Sequence, residues 1–143
     1  MQLMRAREAV MQRFRPHLTA RGLTEQQWRV IRALAEVETL EIAVLGEHCC
    51  IHPASLSRML PKLAADGLVR RRSARADQRR VIVSLTARGR RLFAALSTES
   101  EAIYAQIARD LGAARLSQLY TVLADSIEAL AKGGAAGNTG THE

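Results

Sequence analysis

Cationic side chains are concentrated in one stretch of this sequence. Between Ile51 and Arg90 there are ten Lys or Arg residues and two Asp, whereas the rest of the chain is close to neutral and the whole chain carries +7. The stretch mixes arginines with small and hydroxylic residues, the types that contact phosphate oxygens and base edges. This composition predicts a surface for duplex DNA.

An amphipathic helix is predicted at the start of this stretch. One side of it is apolar at the 3–4 residue spacing of a buried helical face, and the other side is small, hydroxylic or cationic. The apolar side consists of Leu56, Met59, Leu60, Leu63 and Ala64. Pro53 suits the first helical position and Gly67 the position after the end. Pro61 lies inside the helix, where we expect it to bend or locally open the backbone.

Two short strands around a basic turn are predicted next. Val81, Val83 and Leu85 alternate with Ile82 and Ser84, the period-two pattern of a strand with one buried face. The segment SARADQRR before them is too polar for a core. Together these residues predict a basic β-hairpin beside the amphipathic helix.

Helices are predicted over most of the remaining chain. The expected ranges are 1–18, a helix capped by Thr24, 40–49, 86–111 ended by Gly112, and 113–131, followed by a disordered tail at 133–143. Gly46 is expected to permit a close crossing of two helices. The last two helices are long, and their apolar stripes exceed what one small domain covers. We therefore expect them to pack with the first helix against a second copy of the chain.

Three residues outside the basic stretch could bind a ligand. Arg7 lies in the middle of the apolar side of the first helix, where it needs a partner: a salt bridge across a subunit interface, a snorkelling position, or the carboxylate of a ligand. His17 lies near the edge of the same side and is more often structural in such a place. Trp28 is the only tryptophan and is expected in the core, with a pocket wall as the alternative.

The pair Cys49 and Cys50 admits two further interpretations. Adjacent cysteines diverge in direction and make a poor zinc site, so no metal is expected. Thiol-based redox sensing by Cys49 or Cys50 stays open as an alternative function. Two adjacent cysteines do not form a disulfide framework, which favours a reducing cytoplasm. No membrane span, secretory signal, cofactor motif or catalytic constellation is recognised, so we expect a cytoplasmic protein that is not an enzyme.

The order of elements resembles the MarR (multiple antibiotic resistance regulator) family of winged-helix repressors. The resemblance rests on LTEQQWRVIRAL at 23–34, DGLVRRR at 66–72 and DQRRVIVSLTARG at 77–89. It implies a mainly α fold with a small β-hairpin wing. The winged helix-turn-helix lobe then covers 23–90, and the helical dimerisation region covers 1–22, 112–131 and part of 87–111. AREAVMQRFRP and the DQRR run are similar to the subgroup that regulates homoprotocatechuate degradation.

The resemblance also implies partners and residue roles. Such proteins are homodimers that bind pseudo-palindromic operator DNA and release it when a small aromatic carboxylate binds. The ligand pocket is expected near Arg7, His17 and Trp28. The residues expected to contact DNA are Ala54, Ser55, Ser57, Arg58 and Lys62 in the major groove, with Arg72, Arg75, Asp77, Arg79 and Arg80 in the wing. A ligand-free architectural DNA binder and a thiol-responsive repressor are the alternatives.

Overall fold

The computed structural model describes residues 1–73 and 80–136 of the 143-residue chain. Six helices and a three-stranded antiparallel sheet follow one another in these ranges. Their bounds are α1 Gln2–Ala20, α2 Glu25–Ala35, β1 Leu40–Glu41, α3 Ile42–His48, α4 Pro53–Ala65, β2 Val69–Ser73, β3 Val81–Leu85, α5 Ala87–Leu111 and α6 Ala113–Ala136. The expected fold class, mainly helical with a small β wing, is confirmed.

The predicted cap of the second helix is confirmed and is stronger than expected. The Thr24 hydroxyl accepts a hydrogen bond from the backbone N–H of Gln27, and the Gln27 side chain accepts one from the backbone N–H of Thr24. This reciprocal pair satisfies two donors that the first turn of a helix leaves without partners. The start of α2 is therefore fixed by its own sequence.

The prediction of a helix over 40–49 is wrong at its beginning. Leu40 and Glu41 form the strand β1, which pairs with β3 so that Leu40 lies opposite Val83 and Glu41 opposite Ile82. The helix α3 therefore starts only at Ile42. Two residues are too few for a visible period-two pattern, so the pairing partner, and not the local sequence, determines the strand.

The buried side of α4 follows the prediction. Leu56, Leu60 and Leu63 are fully buried, while Met59 and Ala64 are half-buried. Gly46 of α3 lies close to this helix: a Cβ at Gly46 would lie 3.2 Å from the Ile51 carbonyl oxygen and 3.6 Å from Leu56 Cδ2. The expected close crossing at Gly46 is confirmed, and it fixes the orientation of α4 relative to α3.

The sheet has the order β1-β3-β2, so β2 is an edge strand. Val83 and Leu85 of β3 are buried and Val81 is half-buried. The connection to α5 is tight, because a Cβ at Gly89 would lie 2.1 Å from the Leu68 carbonyl oxygen. Thr86 caps α5: its hydroxyl accepts from the Gly89 N–H and donates to the Gly67 carbonyl oxygen at 2.6 Å.

The chain divides into two compact units, Met1–Ile103 and Tyr104–Glu143. In the second unit α6 continues to Ala136, so the predicted end at 131 and the predicted disorder of 133–136 are wrong; residues 137–143 lie outside the described part. Several large apolar side chains of α6 are exposed to solvent: Leu119, Tyr120, Val122, Ile127 and Leu130. None of the described helices has the length and apolar content that a membrane crossing requires.

Candidate nucleic-acid interface

The outward side of α4 carries the residues that the sequence assigned to the major groove. Ala54, Ser57, Arg58 and Lys62 are exposed, and Ser55 is half-buried. Because Leu56, Leu60 and Leu63 anchor the opposite side, this cationic side faces solvent over the length of the helix. A helix of this kind fits the width of a major groove.

The start of α4 is held by the residues that precede it. Pro53 occupies the first turn, as predicted, and His52 Nδ1 accepts a hydrogen bond of 3.3 Å from the Ala54 N–H. Cys50 has a left-handed backbone with φ +49°, a conformation that favours glycine. The turn between α3 and α4 therefore contains local strain next to the candidate interface.

Pro61 lies inside α4 and does not end the helix. The residue is exposed on α4, and the helix runs from Pro53 to Ala65 without interruption. Because proline has no backbone N–H, the carbonyl of Ser57 lacks its usual helical donor. That carbonyl lies on the exposed side of the helix, where water or a ligand can supply the missing hydrogen bond.

The first wing strand presents three consecutive arginines. Val69 is buried, whereas Arg70, Arg71 and Arg72 of β2 are all exposed. Because β2 is the edge strand, these charges also discourage pairing with a further strand. Arg75, Asp77 and Arg79, which the sequence assigned to the wing tip, lie outside the described residues.

Arg80 has a carboxylate partner that the sequence did not reveal. Its guanidinium donates two hydrogen bonds to Glu41 of β1, one of them 3.0 Å long from Nε to Oε2. The Arg80 side chain keeps 57% of its surface exposed. Since Glu41 was predicted in a helix, nothing in the sequence placed it beside the wing.

Arg7 is part of an ion-pair network between α1 and the start of α2. It donates to Glu25 at 2.6 Å, and Glu25 also accepts from Arg15 Nε at 2.6 Å. Arg15 in turn donates twice to Glu8, at 2.5 and 2.6 Å. Arg7 therefore has a carboxylate partner within its own chain, which the sequence did not reveal, and the salt bridge expected across a subunit interface stays a prediction.

The network shifts the pKa of its acids. Partial burial alone raises the pKa of Glu25, but hydrogen bonds from Arg15 and Arg7 outweigh it and bring the pKa below its ordinary value. A hydrogen bond from Arg15 lowers the pKa of Glu8. Glu25 is also in the first turn of α2, where a negative charge is favoured by the helix dipole. The balance of these effects favours the ionised form of both acids.

His17 and Trp28 each contact another aromatic ring within the unit Met1–Ile103. Trp28 is 5% exposed and stacks on Phe93 of α5 with 5.7 Å between ring centroids. His17 makes an edge-to-face contact with Phe14 at 5.9 Å. Its Nε2 is buried and has no hydrogen-bond partner. Both predicted ligand residues thus place ring atoms in the interior, with Trp28 also serving as a core residue.

The two cysteines differ in environment. Cys49 is buried, its carbonyl accepts from Arg29 at 2.7 Å, and its thiol lies 3.7 Å from the Arg29 carbonyl oxygen. Burial raises the pKa of the Cys49 thiol, and nearby Arg29 only partly opposes it. A raised pKa disfavours the reactive thiolate. Cys50 is exposed. No group of three potential metal ligands occurs in residues 1–73 and 80–136.

Comparison with known proteins decides the class of this fold. The MarR family model matches residues 23–81, from the start of α2 to the wing. The homoprotocatechuate degradative operon repressor of Escherichia coli is 39% identical over 125 residues, which cover 87% of this chain and 84% of the repressor. The chain belongs to the MarR family. Members of the family are transcriptional regulators, so this MarR-family chain is a regulator and not an enzyme.

Further relatives have similar identity. The HTH-type transcriptional regulator FarR of Neisseria gonorrhoeae is 41% identical over 86% of this chain and 84% of its own length. The crystal structure of transcriptional regulator PA4135 matches with a TM-score of 0.85 and 42% identity, covering 89% and 93% of the two chains. NadR in complex with 4-hydroxyphenylacetate matches with a TM-score of 0.76 and 41% identity, covering 87% and 88%. The winged helix-turn-helix architecture is thus confirmed.

Replacing Glu25 by Gln tests the network. We expect Glu25→Gln to lower the free energy of unfolding at pH 7 by on the order of 1 kcal/mol, because a partly buried network loses its shared carboxylate. The folded-state pKa is lowered, so this stabilisation is complete above the unfolded pKa of roughly 4.3 and is lost as pH falls through the folded value. Urea unfolding of both proteins at several pH values measures the difference.

The free energies of unfolding of Glu25→Gln and of the parent protein should therefore become equal in acid. Glu101→Gln, at an exposed position of α5, is the matched control and should change stability little. A difference between Glu25→Gln and the parent protein that stays constant down to the lowest pH would show that charge pairing is not its origin.

Proposed function

We propose that this MarR-family chain is a dimeric transcriptional repressor that binds operator DNA through α4 and the wing and leaves it when a small aromatic carboxylate binds. The observation that carries the proposal is the exposed cationic side of α4 in a chain about 40% identical to named regulators over most of its length. Each part of the proposal rests on separate features.

The DNA-binding part is supported by charge and exposure. Arg58 and Lys62 on α4 and Arg70, Arg71 and Arg72 on β2 are all exposed. Within the described ranges no carboxylate forms an ion pair with any of these five residues, in contrast to Arg7, Arg15 and Arg80. Cations that lack a protein partner are available for phosphate contacts. We infer that Ala54, Ser55 and Ser57 approach base edges beside Arg58.

The dimeric part is supported by uncovered apolar surface. In the second unit, Tyr120, Val122, Ile127 and Leu130 of α6 each keep more than half of their surface exposed. In the first unit, Leu3 and Met4 near the start of α1 do so as well. Apolar groups of this number are normally covered by a partner surface. A second copy of the chain is the proposed partner, since two-fold homodimers are the commonest soluble assemblies.

The effector part is supported by the relatives and by the interior of the first unit. NadR, 41% identical, has a structure in complex with 4-hydroxyphenylacetate, and a relative at 39% is named for homoprotocatechuate degradation. In this chain Trp28 stacks on Phe93, and His17 contacts Phe14 edge to face, so the first unit contains aromatic rings against which a small aromatic ligand can pack. We propose Arg7, His17 and Trp28 as ligand residues, with Arg7 exchanging Glu25 for the ligand carboxylate.

The proposed mechanism depends on spacing. In a dimer the two α4 helices must lie about 34–36 Å apart to enter successive major grooves on one side of the duplex. A ligand that binds better to a dimer with another spacing shifts the population away from the DNA-binding form. By reciprocity, operator DNA must then weaken the binding of the ligand by the same factor.

The proposed function is tested in two steps. Selection of bound fragments from a random duplex library should enrich an inverted repeat, because a two-fold dimer reads two related half-sites. Gel shifts on that duplex with increasing 4-hydroxyphenylacetate should then show release, with at least a tenfold rise in the apparent Kd, and acetate as the non-aromatic control should not. The proposal would be refuted if no inverted repeat were enriched, or if the apparent Kd for the duplex stayed the same with every aromatic acid tried.

Glu41→Gln tests whether Arg80 contacts DNA. The substitution removes the carboxylate that holds the Arg80 guanidinium, so the guanidinium can pair with phosphate without first giving up a partner. We expect operator affinity to rise several-fold at low salt, with a salt slope steeper by roughly one unit per chain. Equilibrium binding at four or more salt concentrations provides both values.

The matched control for this prediction is Glu38→Gln. Glu38 is an exposed acid three residues earlier in the chain, so its substitution makes the same change in net charge without touching the Arg80 pair. Equal increases in affinity for the two variants would mean that only net charge matters and that Arg80 makes no contact of its own.

A further inference from the structure

Two buried polar atoms in the first unit have no hydrogen-bond partner. They are the hydroxyl oxygen of Ser100 on α5 and Nε2 of His17 on α1, and among the described residues they are the only buried side-chain nitrogen or oxygen atoms in that condition. Ser100 is 4% exposed, so bulk water does not reach it freely. The feature needs a physical explanation, since most buried polar groups in folded proteins are paired.

Ser100 differs from Gln27, another buried polar residue, because its side chain has no hydrogen-bond partner. These two are the polar residues of the fully buried class in the described ranges. The Gln27 side chain is accounted for by its hydrogen bond from the Thr24 N–H at 2.9 Å. Other helical hydroxyls of α5 bond to a backbone carbonyl, as Ser97 does to Ala94 at 3.0 Å. The Ser100 hydroxyl does neither, and an alanine there would avoid the cost of an unpaired buried group.

The two unpaired atoms lie on inward stripes of two helices that are tied together. On α5, Phe93, Leu96 and Ser100 follow the 3–4 residue spacing of one face, with Leu96 fully buried and Phe93 stacked on Trp28. On α1, His17 lies one turn before Arg21, and Arg21 pairs with Glu99 at 2.5 Å. The ion pair joins the helices next to Ser100. The end of α1 therefore lies beside the part of α5 that carries Ser100.

We propose that the Ser100 hydroxyl and His17 Nε2 face a common space between α1 and α5 and there bind the ring hydroxyl of a phenolic effector. The inference rests on the proposed function, because it concerns the ligand that the repressor senses. A phenolic hydroxyl both donates and accepts one hydrogen bond, and a serine hydroxyl can supply either role. His17 Nε2 offers a lone pair or an N–H according to its tautomer, and the phenol can pair with both. The Trp28 and Phe93 rings are available to pack against the aromatic ring.

The chemistry selects a hydroxyl and not the carboxylate of the same ligand. A buried carboxylate requires a cation. Arg7, the cation proposed for the ligand carboxylate, lies ten residues before His17 on α1, at the other end of the ligand in this proposal. A serine hydroxyl and an imidazole nitrogen both form hydrogen bonds with a neutral hydroxyl. This arrangement gives specificity, since an analogue that lacks the hydroxyl leaves both buried groups without partners.

Ser100→Ala is the decisive variant, and Ser97→Ala on the same helix is its matched control. The two ligands to compare are 4-hydroxyphenylacetate and phenylacetate, which differ only in the ring hydroxyl. Binding is followed by fluorescence of Trp28, the single tryptophan of the chain, and by calorimetry. Melting temperatures without ligand report whether the hydroxyl has a structural role.

We expect the wild-type protein and Ser97→Ala to prefer the hydroxylated acid by at least tenfold, and Ser100→Ala to bind that acid alone about tenfold more weakly. The melting temperature of Ser100→Ala should be unchanged or higher, because an unpaired buried group is removed. His17→Phe should likewise reduce the preference for the hydroxylated acid.

Three contrary results are distinguishable. If the wild-type protein prefers the hydroxylated acid and Ser100→Ala keeps the full preference, the assignment of Ser100 is wrong while the proposed function stands. If neither acid binds the wild-type protein, the aromatic-acid function fails and the assignment fails with it. A large fall in the melting temperature of Ser100→Ala with an unchanged preference would also overturn the inference, since it would indicate a structural hydroxyl.

Discussion

The packing of α4 against α3 is the constraint on which the candidate interface depends. Leu56, Leu60 and Leu63 must be buried together, and the absence of a side chain at Gly46 lets the two helices approach at the Ile51 carbonyl and at Leu56. Once that side is fixed, Arg58 and Lys62 must face solvent. Burial of the apolar side of α4 by the hydrophobic effect thus determines that the cationic side chains on the opposite side point to solvent.

Charge is used differently in two parts of the first unit. On α1, Arg7 and Arg15 are paired within the chain, in the network with Glu25 and Glu8. On α4 and β2 the cations are exposed and, among the residues that the structure describes, have no carboxylate partner. Arg80 lies between these cases because Glu41 holds it while more than half of its side chain stays accessible. We expect the cations of α4 and β2, which have no ion pair among the described residues, to bind a negatively charged partner.

Much of this arrangement could be predicted from the sequence, because it depends on local periodicity. The apolar stripe of α4, the Thr24 cap, the glycine end of α5 and the wing strands all follow from residues a few positions apart. The helix start at 40 was wrong because β1 exists only through its pairing with β3, which lies about forty residues away in sequence. The partners of Arg7 and Arg80 and the unpaired hydroxyl of Ser100 were missed for the same reason: they depend on the packing of distant segments. The ends of helices, such as the C-terminal end of α6, are also poorly defined by sequence alone.

The central claim is that the outward side of α4 contacts the phosphates and bases of duplex DNA. The salt dependence of operator binding by Arg58→Ala/Lys62→Ala tests it most directly, with Lys132→Ala as the control, since Lys132 is an exposed cation already paired with Glu128. The account predicts weaker binding and a slope of log Kobs against log salt that is shallower by about 0.9 for each phosphate that the variant no longer neutralises. A double variant that binds with the same affinity and slope as the control would contradict it.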